Sequence, residues 1–186
     1  MSKFLDKLLT VPNILTISRM LLLPFFAFGF FRKSKTGLVI SLSVFIFCCI
    51  SDFLDGYYAR AYKQTTKLGQ MLDPLADKIV VSIALLFIVG FHIVSSYAII
   101  PASVILCREI IISGIRDATE FSGRSFKTLF LSKFKTATQM LSIIVSILAS
   151  IRQSHNVAVI GEALLWISSI IALVSGCVYC KRHMFD

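Results

Sequence analysis

Acidic residues are scarce in this chain. Asp and Glu fill ten of 186 positions, against nineteen Lys and Arg, for a formal net charge of +9. No charged residue at all lies between Ile79 and Cys107. A soluble chain of this length needs far more polar surface to cover its core, so the soluble globular class is excluded. No solvated basic domain exists to hold a polyanion, which excludes nucleic acid as a partner. The basic excess reads instead as loop residues facing the cytoplasm and anionic lipid. Among the five cysteines only Cys177 and Cys180 have C-x-x-C spacing, with no second pair. That is poor support for a metal or redox centre, and small apolar filler is the simpler reading. No A-x-A cleavage site follows the first apolar run, which reads as a retained span. No repeat or low-complexity segment divides the chain, so 1–186 is expected to be a single domain.

What is present is apolar. Hydrophobic residues make up 56% of the chain, and the mean hydropathy is +0.83. They fall into long blocks, which predicts an all-α, polytopic membrane protein. Phe4, Leu5, Leu8 and Val11 share one side of a short segment, with Lys3, Asp6 and Lys7 on the other. That pattern suits an interfacial amphipathic helix over 1–12, ended by Pro12. Six spans are expected, at about 14–31, 37–60, 69–91, 97–119, 133–151 and 157–180. Arg19 is the one interruption of the first. "GFHIVSSY" (90–97) supplies the turn that splits the long uncharged run into two spans. Measured from that turn, Asp77 lies roughly 22 Å back along one helix, and Arg108 and Arg116 roughly 18 and 30 Å forward along the next. All three are therefore expected on one side of the membrane. An even number of spans puts both termini on that side as well. It collects most of the basic residues, so it is expected to be cytoplasmic. Arg32, Lys33 and Lys35, in the first outer connection, go against that rule locally.

Four of the ten acidic residues, Asp52, Asp55, Asp73 and Asp77, sit among these apolar blocks. At 100° per residue, Asp52, Asp55, Gly56 and Ala59 fall on one helix face about 100° wide. Gly69, Asp73 and Asp77 likewise share a face on the following helix, and the linker between the two is short. Four carboxylates meeting in a low dielectric repel strongly unless cations neutralise them. Oxygen-only ligands suit Mg²⁺ or Mn²⁺, and two such ions are a known arrangement for displacement at phosphorus. The small residues leave room for a flat ligand against the helix. Individually, the aspartates have plainer readings. Asp73 before Pro74 has the form of a helix N-cap, and Asp52 and Asp77 could pair with Arg60 and Lys78. The set of four favours the metal site.

A second cluster is cationic. Arg108 and Arg116 are eight residues apart, about 80° round one helix. Lys133 and Lys135 open the next span. Together they suit a phosphate, with bidentate Arg contacts; the two lysines also satisfy a plain lipid-anchoring role. Glu109 is expected to compete poorly for Arg108, because adjacent residues point apart on a helix.

The spacing Asp52-x2-Asp55-Gly56-x2-Ala59-Arg60-x8-Gly69-x3-Asp73-x3-Asp77 resembles the signature of the CDP-alcohol phosphotransferases at every position. The resemblance implies six transmembrane helices, two Mg²⁺ or Mn²⁺ ions and a homodimer. It implies transfer of a phosphoryl-linked group from a CDP-activated donor to an alcohol, with release of CMP. By position, Asp52, Asp55, Asp73 and Asp77 become metal ligands, with Asp77 also the general base. Gly56, Ala59, Arg60, Thr66 and Gly69 match donor-binding positions. "NILT" (13–16) resembles the element that closes the nucleotide pocket, with Asn13 and Thr16 as its polar members. "VPNILTISRMLLLP", "LGQMLDPLADK", "REIIISGIRD" and "SKFKTATQM" resemble one branch of the family nearly end to end. That branch implies CDP-diacylglycerol as donor and sn-glycerol 3-phosphate as acceptor, in a bacterial plasma membrane. Arg108, Arg116, Lys133 and Lys135 would then bind the acceptor phosphate. The competing expectations are another member of the family (a cardiolipin synthase or an inositol-phosphate transferase) or a divalent-cation transporter.

Overall fold

The computed structural model describes the backbone of residues 11–62, 67–121 and 130–184, and side chains over 14–54, 72, 74–115 and 134–181. The described chain is all helical: α1 (Val11–Phe31), α2 (Lys35–Tyr62), α3 (Lys67–Gly90), α4 (Ile99–Phe121), α5 (Phe130–Arg152) and α6 (His155–Met184), with a 3₁₀ turn at Ser96–Ala98 before α4. Residues 1–10 lie outside the described region, and with them the expected interfacial helix. Whether Pro12 ends that helix lies outside the described residues as well, since the description starts with α1 at Val11. Asp73 is not an N-cap. The helix starts at Lys67, and Pro74 lies inside it.

Five of these helices are long and apolar enough to cross a membrane, over Ile14–Phe31, Lys35–Leu54, Ser96–Ile115, Phe134–Arg152 and His155–Lys181. α3 carries Asp73, Asp77 and Lys78 and is not among them. Large apolar side chains such as Phe25, Phe53, Leu86, Ile110 and Ile170 are exposed along the helices. Helices of this length that leave such side chains uncovered need lipid as their solvent. The chain is an integral membrane protein.

Packing divides it into two compact units, Met1–Phe87 and Ile88–Asp186. In the first, α1 and α2 form a hairpin. A Cβ on Gly29 would run into Ser41 Oγ and the Gly37 carbonyl, and one on Gly37 into the Gly29 carbonyl. Only glycine at both positions permits so close a crossing. The Ser41 hydroxyl donates to the Phe26 carbonyl across it, at 2.7 Å. Phe26, Phe30, Phe45 and Phe87 fill the space below, with ring centroids 5.1 to 6.1 Å apart. In the second unit, Ile105, Ile143, Ile147, Leu165 and Ala172 are fully buried. Here α5 and α6 make the close crossing: a Cβ on Gly161 would lie 2.6 Å from Ser146 Oγ.

The connections explain why the helices stop where they do. Lys33, His92 and Gln153 adopt φ of 46°, 53° and 52°, the left-handed region that terminates a helix. After α3 the amides of His92 and Ile93 return to the carbonyls of Val89 and Ile88. After α5 the amides of Gln153 and Ser154 return to Ser150 and Ala149. Both are Schellman closures built without glycine. At the start of α2, Ser34 Oγ accepts the Gly37 amide as an N-cap, at 3.1 Å.

Candidate active site

In the first unit, α1, α2 and α3 bring three charged side chains to one point. Arg19 projects from α1 and is 1% exposed. Its Nη1 donates to Asp52 Oδ1 of α2 at 3.0 Å and also to Asp77 Oδ1 of α3. Its Nη2 lies 3.5 Å from the hydroxyl of Thr16, one turn earlier and fully buried. Two carboxylates twenty-five positions apart in sequence thus share a single guanidinium nitrogen. The expected meeting of the Asp52 and Asp77 faces is present for these two residues. Asp55, Gly56, Ala59 and Arg60 lie in the helical backbone of α2, and Gly69 and Asp73 in that of α3. Their side chains are outside the described residues, as is that of Asn13 in α1 and the whole of Thr66.

Sequence reasoning missed Arg19. The spacing argument treated it as an interruption of the first span. A different signal was available: an ionisable side chain inside an apolar helix needs an intramembrane partner, and the scarce acids were the candidates.

The carboxylates of Asp52 and Asp77 offer hard oxygen donors, and both already reach one cationic centre. That donor chemistry fits a hard divalent cation. Asp52 and Asp77 keep 30% and 36% side-chain exposure.

The second unit holds the cationic cluster. Arg108 of α4 is 8% exposed and Lys135 of α5 3% exposed. Glu109 ties them together: its Oε1 accepts from Arg108 Nη1 at 3.3 Å and from Lys135 Nζ. The expectation that Glu109 would compete poorly for Arg108 is therefore wrong. Adjacent Cα–Cβ vectors do diverge, but the long Arg side chain bends back, and Lys135 from the neighbouring helix holds the carboxylate in place. Arg108 Nη2 also donates to Ser175 Oγ of α6, at 3.1 Å. The passage of Arg108 beside α6 depends on Gly176, whose Cβ would lie 3.3 Å from Arg108 Cγ. Arg108 Nε and Gln139 Nε2 are buried donors with no hydrogen-bond partner among the described residues. Gln139 was not foreseen; it lies one turn along α5 from Lys135. Arg116 and Lys133 are in the helical backbone of α4 and α5, with side chains outside the described residues.

Residues 9–174 match the sequence pattern of CDP-alcohol phosphatidyltransferases. The chain belongs to that family. It is similar to a protein of Yersinia pestis, 35% identical over 180 residues, which are 96% of this chain and 97% of that one. It is similar to a Rickettsia bellii protein, 32% identical over 179 residues, or 93% and 96% of the two chains. A Cereibacter sphaeroides protein is 39% identical over 143 residues, 76% of this chain, and the match spans 64% of that relative's length. All three relatives bear the name CDP-diacylglycerol–glycerol-3-phosphate 3-phosphatidyltransferase. The family membership fits the helical architecture and the Asp52–Asp77 convergence just described.

Proposed function

We propose that this chain transfers the phosphatidyl group of CDP-diacylglycerol to sn-glycerol 3-phosphate, as a phosphatidylglycerophosphate synthase. The observation that carries the reading is the near end-to-end similarity to the Yersinia and Rickettsia relatives of that name. The convergence of Asp52 and Asp77 on one cation supports it physically. The chain then works as a single domain, and the matched region 9–174 supports this by crossing from the first packing unit into the second.

Asp52, Asp55, Asp73 and Asp77 would hold two divalent ions, Mg²⁺ or Mn²⁺. Such ions, when bound, offset the negative charge that builds on the phosphoryl oxygens and on the departing CMP. The chain's own residues do the rest. Asp77 takes the proton of the acceptor hydroxyl as its oxygen bonds to the diacylglycerol-linked phosphorus, and the bond from that phosphorus to CMP breaks. Gly56, Ala59 and Gly69 give the nucleotide space against the helices, and Asn13, Thr16, Arg60 and Thr66 supply its polar contacts. Arg108, Arg116, Lys133 and Lys135 hold the acceptor phosphate. In that role the phosphate takes over the ion pairs that Glu109 makes with Arg108 and Lys135. Six spans place the aspartates and both termini on the cytoplasmic side of a bacterial plasma membrane, in a homodimer surrounded by lipid.

Purified protein with CDP-diacylglycerol, Mg²⁺ and separate acceptors tests the reading. CMP release with glycerol 3-phosphate, and none with phosphatidylglycerol, inositol phosphate or serine, is expected. Release with another acceptor alone would move the chain to a different branch. No release with any, but aspartate-dependent cation flux in liposomes, would make it a transporter. Asp77→Asn is expected to bind CDP-diacylglycerol and lose turnover by a factor on the order of 10² to 10⁴.

A further inference from the structure

We propose that Arg19 is the resident counter-ion of the aspartate site: it holds Asp52 and Asp77 while no metal is bound, and a divalent cation binding there displaces it. The inference rests on the metal reading given above and goes beyond it, because it assigns a role to a residue outside the aspartate signature.

Three observations carry it. The first is burial. Arg19 is 1% exposed and is the one charged residue of its helix, where a buried cation persists only if it is paired. The second is position. A single nitrogen, Nη1, donates to Oδ1 of both Asp52 and Asp77, so the guanidinium lies between carboxylates carried by two different helices. The third is the identity of the acceptor atoms. An ion ligated by both aspartates needs carboxylate lone pairs at about 2.0–2.1 Å, and Arg19 already draws on Oδ1 of each. A guanidinium and a dication drawing on the same oxygens also repel each other across a short, poorly screened distance. Occupancy by one therefore opposes occupancy by the other. Arg19 acts through the two aspartates and is a positioning residue. It keeps two half-buried carboxylates from repelling each other.

Exchange of one cation for another is read by metal affinity and by metal-dependent stability. Wild type, Arg19→Gln and Arg19→Lys are purified in detergent and titrated with MnCl₂ by calorimetry. The salt is held at about 0.3 M to screen distant charges. The melting temperature is followed in EDTA and in Mn²⁺. Arg19→Gln is expected to bind Mn²⁺ more tightly than wild type, by a factor on the order of ten. It is expected to melt well below wild type in EDTA and to recover when Mn²⁺ is added. Arg19→Lys keeps the charge without the fork and is expected to fall between the two. Unchanged or weaker Mn²⁺ affinity in Arg19→Gln would overturn the proposal. So would an equal loss of stability with and without Mn²⁺, or failure to fold in both, since either marks a purely structural arginine. Absence of saturable Mn²⁺ binding in wild type would remove the metal reading itself, and the proposal with it.

Discussion

At Glu109 one carboxylate serves two buried cations, Arg108 and Lys135. Removing its charge leaves both without that counter-ion in a low-dielectric setting. Breaking a buried pair costs about 3–5 kcal/mol. Glu109→Gln is therefore expected to lower the melting temperature in detergent by roughly 6–20 °C, with glycerol 3-phosphate restoring part of the loss. No effect of the acceptor on that variant's stability would separate the cluster from acceptor binding. The same residues mark what single-chain reasoning can and cannot reach. Helical phase placed Asp52 and Asp55 on one face, because phase depends only on position within a helix. It could not find the Arg19 contacts, since a pairing between helices depends on how they dock. The neighbour rule failed for Arg108 and Glu109 because it describes where side chains start, not where four or five bonds let them end.

Among the elements, the hairpins α1–α2 and α5–α6 rest on glycines at helix crossings. Gly161 faces Ser146 so closely that any side chain forces the two helices apart. Gly161→Leu is expected to destabilise by about 1–3 kcal/mol through overpacking. Gly114, in α4, has open space around its missing Cβ. Gly114→Ala is expected to be neutral or to stabilise by about 0.5–1 kcal/mol. Thermal unfolding of the two variants side by side checks both, and equal effects would discount the crossing. The helices themselves were legible, since runs of apolar residues and the 90–97 turn set their ends to within a few positions. The starts were less so. The Asp73–Pro74 pair looks like a boundary signal, yet a proline inside a packed helix is tolerated when the neighbouring residues keep the helix going.

For the whole molecule, alternation of the spans carries the orientation. The proposed arrangement puts the turns at Lys33, His92 and Gln153 on the outer side and the 63–66 connection on the inner. Single cysteines at 33, 92 and 153, in a background lacking the five native cysteines, are expected to react with a membrane-impermeant maleimide in intact cells. One at residue 64 should react only after permeabilisation. The opposite pattern would invert the chain, and labelling of 33 without 92 would mean that α3 does not cross. That helix is the one the charge distribution leaves open. Asp73, Asp77 and Lys78 crowd charge into one part of α3, and its apolar stretch follows them.

Ser142 and Ser146, buried where α5 meets α6, donate to carbonyls of their own helix, those of Gln139 and Ser142. Ser175 does the same with the Ala172 carbonyl in α6. Their protons are committed along the helix axis, so the seam looks polar in sequence but these hydroxyls donate nothing across it. A serine whose proton is spent on its own backbone packs as a small residue does, so two helices can come close there without a polar bond to hold them in one register.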